Sequence, residues 1–278
     1  MSIQVSLKTW CVLGAVACTL PMSPASATHS WGTYHWARAS NPFTLKLGDN
    51  VSTAWDVYLG TAASVGNVPT TGWSFSNVLH LMIVPGNVSP KTCRATTGMV
   101  QVCNSQYGNN GWLGVAGIYI SGGHITAGYV KLNDTYYSSA TYNTPAWRNL
   151  VMCQEIGHTL GLGHVDENFS NPNLGTCMDY TKSPETNQYP NEHDYEMLGS
   201  IYTHLDTTTT VAASSSTTAP AAMYQISFDG PGQWGKLVAR SVDGGQEVYE
   251  LDFGGGHKIV THVTWTIEVA ERRRQRSH

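Results

Sequence analysis

The run from Cys153 to His164 reads C-Q-E-I-G-H-T-L-G-L-G-H. Pro145 stands ahead of it and predicts a helix from about Ala146 to Leu160, since proline suits a first turn where its missing N–H costs nothing. On such a helix Gln154 and His158 are four residues apart and share a face, with Glu155 at its rim. Gly161 sits where the helix should stop, because glycine takes the left-handed conformation that ends one. A turn there returns His164 towards His158. Two imidazoles and a carboxylate then converge, the layout of a catalytic metal with an open position and an adjacent general base.

The rest of the chain reads as a signal, a large unit, a linker and a small module. Lys8, the apolar run Trp10–Leu20 and the small-x-small site Ala25-Ser26-Ala27 make residues 1–27 an export signal cleaved after Ala27. Lipidation at Cys18 is the rival, weakened by the poor lipobox Ala15-Val16-Ala17. No segment is apolar for long enough to span a bilayer. Residues 207–222, TTTTVAASSSTTAPAA, carry no charge and almost no large side chain, so they read as a linker. They separate residues 28–206 from 223–278.

Residues 28–206 mix strand and helix patterns. Phe43–Leu47 alternates as a strand does, and a helix is expected near Val51–Leu59. Val78–Val84 is an apolar run between Asn77 and Pro85-Gly86, a buried strand. Residues 112–120 and 127–132 are further strands. A closing helix starts near Glu192 or His193, with Tyr195, Leu198 and Ile201 on one face. Residues 223–278 read as all β, with strands near 224–228, 236–241, 246–252 and 258–267 parted by Asp-Gly and Gly-Gly turns. The basic end Arg272-Arg273-Arg274-Gln275-Arg276 reads as a solvated terminus. The fold class is therefore α+β, with a small all-β C-terminal module.

Charged residues are 12% of the chain, about half the usual ~25%. The net charge of −4 argues against a nucleic-acid partner. The negative balance lies in 28–206, with seven basic and twelve acidic residues; 223–278 has seven of each. Cleavage of the signal leaves Cys93, Cys103, Cys153 and Cys177. Four cysteines in an exported chain suggest two disulfides, with three connectivities open. Cys93–Cys103, which closes a short loop, with Cys153–Cys177 is the favoured pairing over the others and over free thiols.

Gln154, Glu155, His158, Gly161 and His164 resemble the metzincin pattern H-E-x-x-H-x-x-G-x-x-H, with Cys177-Met178-Asp179-Tyr180 as its Met-turn. The resemblance covers most of 28–206. It implies a twisted, mostly parallel sheet followed by the active-site helix, the Met-turn and a closing helix. It implies one catalytic Zn²⁺ held by His158 and His164 with Gln154 as third ligand, Glu155 as general base, Met178 as apolar floor and Tyr180 as a switchable ligand or oxyanion donor. A Cys153–Cys177 bridge would tie the helix to the Met-turn. The resemblance further implies an extended peptide or protein substrate pairing along 112–120, and a monomeric secreted endopeptidase.

Gln154 departs from the pattern, since an amide oxygen binds zinc less well than imidazole. The competing reading is an inactive secreted binding protein on the same fold; a weaker third is a hydrolase acting on a non-peptide amide. His193 is the reserve ligand; His80 reads as core or surface, His124 as a turn residue that could line a cleft, and Asp166 as a loop residue. Any latency would come from a short segment around 28–42 or from an inhibitor. Sequons stand at Asn50, Asn87, Asn133 and Asn168.

Overall fold

A computed structural model describes residues 1, 29–64, 71–166, 171–213 and 219–275. The export signal, Cys18 and Asn168 lie outside these residues.

In chain order the elements are β1 (His35–Trp36), β2 (Phe43–Asn50), α1 (Asp56–Ala63), β3 (Leu79–Pro85), β4 (Met99–Ser105), β5 (Trp112–Ser121), β6 (His124–Asn133), α2 (Asp134–Tyr137), α3 (Pro145–Thr159), α4 (Glu192–Ile201), α5 (Pro231–Trp234), β7 (Lys236–Arg240), β8 (Gln246–Gly254), β9 (His257–Trp265) and α6 (Ile267–Gln275). The mixed α/β class is as the sequence indicated. Helix α1 begins later than expected, and β1 and β4 had no clear pattern of their own. Residues 224–228 form no strand; Ala221–Gln225 is a 3₁₀ turn.

Among the described residues, nine strands form one sheet in the order β3-β2-β4-β6-β5-β9-β8-β7, with β1 beside the start of β6. Strands β3, β2, β4 and β6 run parallel; β5, β9, β8 and β7 are joined by antiparallel pairing. The sequence set 223–278 apart as a module. Its strands instead extend the sheet of 28–206, because β9 pairs with β5 from Trp112↔Trp265 to Ser121↔His257. The reason lies in the alternation of β9. Val260 packs in the core that holds α3, while Ile259, Val263 and Trp265 pack in a second core on the opposite face. A strand apolar on both faces needs two layers to cover it, and a 56-residue hairpin module has one to offer.

The described parts of the linker are also pinned. Thr210 N donates to Ala37 O at 2.9 Å, and Ala212 N to Gly98 O at 2.9 Å. The basic terminus is helix α6, and Arg273 lies over the Trp265 ring at 3.8 Å and pairs with buried Glu247.

Both expected disulfides are present, Cys93–Cys103 and Cys153–Cys177. Such bonds suit an oxidising compartment. No helix of the described residues is long and apolar enough to cross a membrane.

Candidate functional site

Helix α3 is built as the sequence implies. Thr144 caps it by accepting from Trp147 N at 3.2 Å, and Pro145 follows in the first turn. It ends at Thr159, and Gly161 has φ +95°. A Cβ on Gly161 would also lie 2.4 Å from Tyr34 O, so both backbone conformation and space require glycine. The helix is fixed in place by Trp73 Nε1 donating to Cys153 O (2.9 Å), Trp36 Nε1 to Thr159 O (2.9 Å) and Tyr202 Oη to Leu160 O (3.0 Å).

The turn brings His164 to His158, their rings edge to face at 4.5 Å. His158 Nδ1 bonds Leu162 O at 2.9 Å, which directs Nε2 inward, where it has no hydrogen-bond partner. Met178 lies beneath: a Cβ on Gly157 would come 2.6 Å from its Sδ. Glycine at 157 thus lets the Met-turn close under the helix. Asp166 stays in its loop, bridged to the Met-turn by Tyr180 N donating to Asp166 O at 3.2 Å.

Glu155 is fully buried. Its Oε1 accepts from Thr264 Oγ1 at 2.6 Å, and Oε2 has no partner. Burial pushes its carboxyl up to about 8, partly offset by the Thr264 hydroxyl. Gly114 of β5 makes room for it, since a Cβ there would sit 2.5 Å from Oε1.

Gln154 is committed within the protein. Its Nε2 donates to Cys177 O at 2.9 Å, and its Oε1 lies 3.0 Å from both Gln246 Nε2 and Thr264 Oγ1. The imidazole nearest His158 besides His164 comes from β9. His262 stacks on His158 with centroids 4.1 Å apart and planes at 13°, and neither of its ring nitrogens has a hydrogen-bond partner. Burial holds His262 down at about 3, and His158 well below the usual histidine range, with neighbouring imidazoles adding to both. Gln246, His262 and Thr264 escaped the sequence reading because the strand pairing that delivers them is long-range.

Other expected residues fall elsewhere. His193 stacks on His29 at 4.8 Å beside Asp194, whose carboxylate serves the capping box of α4. His80 is exposed on β3. Tyr180 is buried, and burial raises its hydroxyl well above the ordinary tyrosine value. The turn holding Gly245 rests on it; a Cβ on Gly245 would fall 1.0 Å from Tyr180 Oη. Asn133 is fully buried as the cap of α2, so that sequon is closed to a glycan.

The donor chemistry of His158, His164 and His262 suits zinc, which favours nitrogen ligands. Gln154 offers less, with its oxygen already accepting from Gln246 Nε2. Among the described residues, two groups have their donor atoms all within 4.8 Å of one another: His29, His193, Asp194, and His35, His124, Asp206. Around His158, His262 stacks and His164 meets the ring edge-on, and these three residues are not one of those groups. The edge of β5, expected to accept an extended peptide, is taken by β9. No family model and no curated protein matches the chain.

Proposed function

We propose that this chain is a secreted zinc-dependent endopeptidase of the metzincin type whose site is covered by its own C-terminal strand. The observation that carries the reading is Glu155: a buried carboxyl with one oxygen unpartnered, three residues ahead of His158 on α3. A buried carboxyl without a cation beside it is costly, and its usual justification is proton transfer. Zinc bound by His158 and His164 would activate a water and polarise a scissile carbonyl. Glu155, once ionised, would take a proton from that water and deliver it to the leaving amine. The disulfide to Cys177 keeps α3 and the Met-turn in register, as a preorganised site needs. An extended peptide would pair with β5 once β9 gives way.

The test is zinc content and casein cleavage by the purified chain. Cleavage abolished by Glu155→Ala and by chelator supports the enzyme. Absence of cleavage, with Glu155→Ala indistinguishable from the parent, would sink it. A second reading, a non-catalytic binding protein, draws on Gln154 and the covered cleft; it expects no cleavage even when β9 is loosened.

A further inference from the structure

A second cluster of metal-ligating side chains lies away from the motif and is drawn from three distant parts of the chain. His35 comes from β1, His124 opens β6, and His204 and Asp206 follow α4. The donor atoms of His35, His124 and Asp206 lie within 4.8 Å of one another, and His204 stands beside this group. Asp206 Oδ1 is 3.4 Å from His35 Nε2, 3.2 Å from His124 Nε2 and 3.8 Å from His204 Nε2. His204 Nε2 is 3.1 Å from His35 Nε2. Four ligands on a tetrahedron with zinc bonds of about 2.0–2.1 Å stand about 3.3–3.4 Å apart; His35 and His124 meet that spacing to Asp206, and the exposed His204 ring swings towards His124 to complete it. The rings of His124 and His204 meet His35 edge-on, at 86° and 85°, as imidazoles fanning from one centre do.

The surrounding bonds orient these donors. His35 Nδ1 lies 2.8 Å from Thr33 O. A carbonyl can only accept, so Nδ1 carries the proton and Nε2 of the neutral ring presents a lone pair. That lone pair faces Asp206 Oδ1, another acceptor. The pair repels unless a proton or a cation lies between them. The other carboxylate oxygen is already used: Asp206 Oδ2 accepts from Arg38 Nη1 at 3.0 Å and Arg38 N at 3.1 Å, leaving Oδ1 turned to the histidines. Arg38 is buried, donates to Tyr202 O at 2.7 Å and also bonds His204 O, so it fixes the backbone that carries two of the four donors. A backbone carbonyl behind one histidine and a guanidinium behind the carboxylate are the outer partners that metal sites use.

We propose that His35, His124, His204 and Asp206 form a closed site for a first-row divalent cation of the zinc class. With four protein ligands it keeps no open position, so its role is structural. It fastens the N-terminal strand to the segment after α4, on the flank of the helix end that Trp36 and Tyr202 hold. The inference does not depend on the peptidase reading.

The test uses the full mature chain and zinc as probe. Metal content and competition with a chromophoric chelator are measured for the parent, His204→Ala, His204→Cys, Asp206→Asn and the pair His158→Ala/His164→Ala. His204 is 58% exposed, so its replacement leaves the core intact. The pair should retain one tightly held ion. His204→Ala and Asp206→Asn should each weaken that site about 100-fold or more, beyond the 10–100-fold typical of losing an outer partner. His204→Cys should restore binding by supplying a sulfur ligand. Cobalt in the retained site should show the intense visible bands of tetrahedral coordination. Should the pair fail to fold, the parent decides: His204→Ala must remove one bound ion that His204→Cys keeps. Unchanged affinity in both His204→Ala and Asp206→Asn, or a proton alone bridging these donors with no ion retained at any zinc level, overturns the proposal.

Discussion

The residue whose chemistry matters most to the motif site is His262. In the chain order it stands far from α3, and its alternating neighbours Val260 and Thr264 mark it as an ordinary strand residue. Helix periodicity made the shared face of Gln154 and His158 legible, and the glycine at 161 the return of His164, because both are local rules. No local rule announces an imidazole delivered by strand pairing. On the peptidase reading, His262 supplies a third nitrogen once it turns out of its stack on His158, since both its ring nitrogens are without a hydrogen-bond partner. In a His204→Ala background, His262→Ala should lower zinc affinity at the motif at least tenfold, whereas Gln154→Ala should change it little. Gln154→His should tighten binding. Chelator competition decides, and the reverse order for the two alanine variants would return the ligand role to Gln154.

At the scale of elements, the bond between Cys153 and Cys177 joins the one helix and the one turn that the site requires. Each cysteine immediately precedes a residue of the candidate site, Gln154 and Met178, so slack in either backbone shifts α3 against the turn beneath it. The closed loop spans a sequence separation of 24. Chain-entropy arguments put its removal at about 3 kcal/mol of stability. Cys153→Ala/Cys177→Ala should lose about that in urea melts and also bind zinc more weakly at the motif. Removal of Cys93–Cys103 should cost stability while leaving that affinity unchanged. Most elements could be read in advance where the pattern was pure, as in β2, β3, α3 and α4. Strand β4 hid because Gln101 and Asn104 interrupt its apolar run, and both are buried in a hydrogen-bonded polar network rather than exposed. The 3₁₀ turn at Ala221–Gln225 looked like the start of a strand because its apolar residues are anchors: Met223 is buried in the second core.

Across the described residues, one sheet joins what the sequence divides into two units, and the joint runs along β5, which Glu155 of α3 packs against at Gly114. Full detachment of β9 would expose Ile259, Val263 and Trp265, at roughly 1.5–3 kcal/mol for each large apolar side chain. Spontaneous opening of the entire hairpin is therefore rare, and the loosening that admits a substrate must begin where the hold is polar and local. Two contacts meet that description. Thr264 Oγ1 reaches Glu155, and the Gly245 turn rests on Tyr180. Thr264→Val removes the hydroxyl while keeping the volume, and leaves Glu155 without its partner. Gly245→Ala forces a methyl into the Tyr180 hydroxyl and lifts the turn. Both variants should lose stability by about 1–3 kcal/mol. If β9 covers a working site, both should also cleave an extended peptide several-fold faster than the parent, with faster amide exchange along 257–265. A strand that is purely architectural would give the loss of stability and the faster exchange with no gain in cleavage. The added comparison with Glu155→Ala separates the cases, because a latent peptidase loses the gained activity in Gly245→Ala/Glu155→Ala while the exchange pattern stays as in Gly245→Ala.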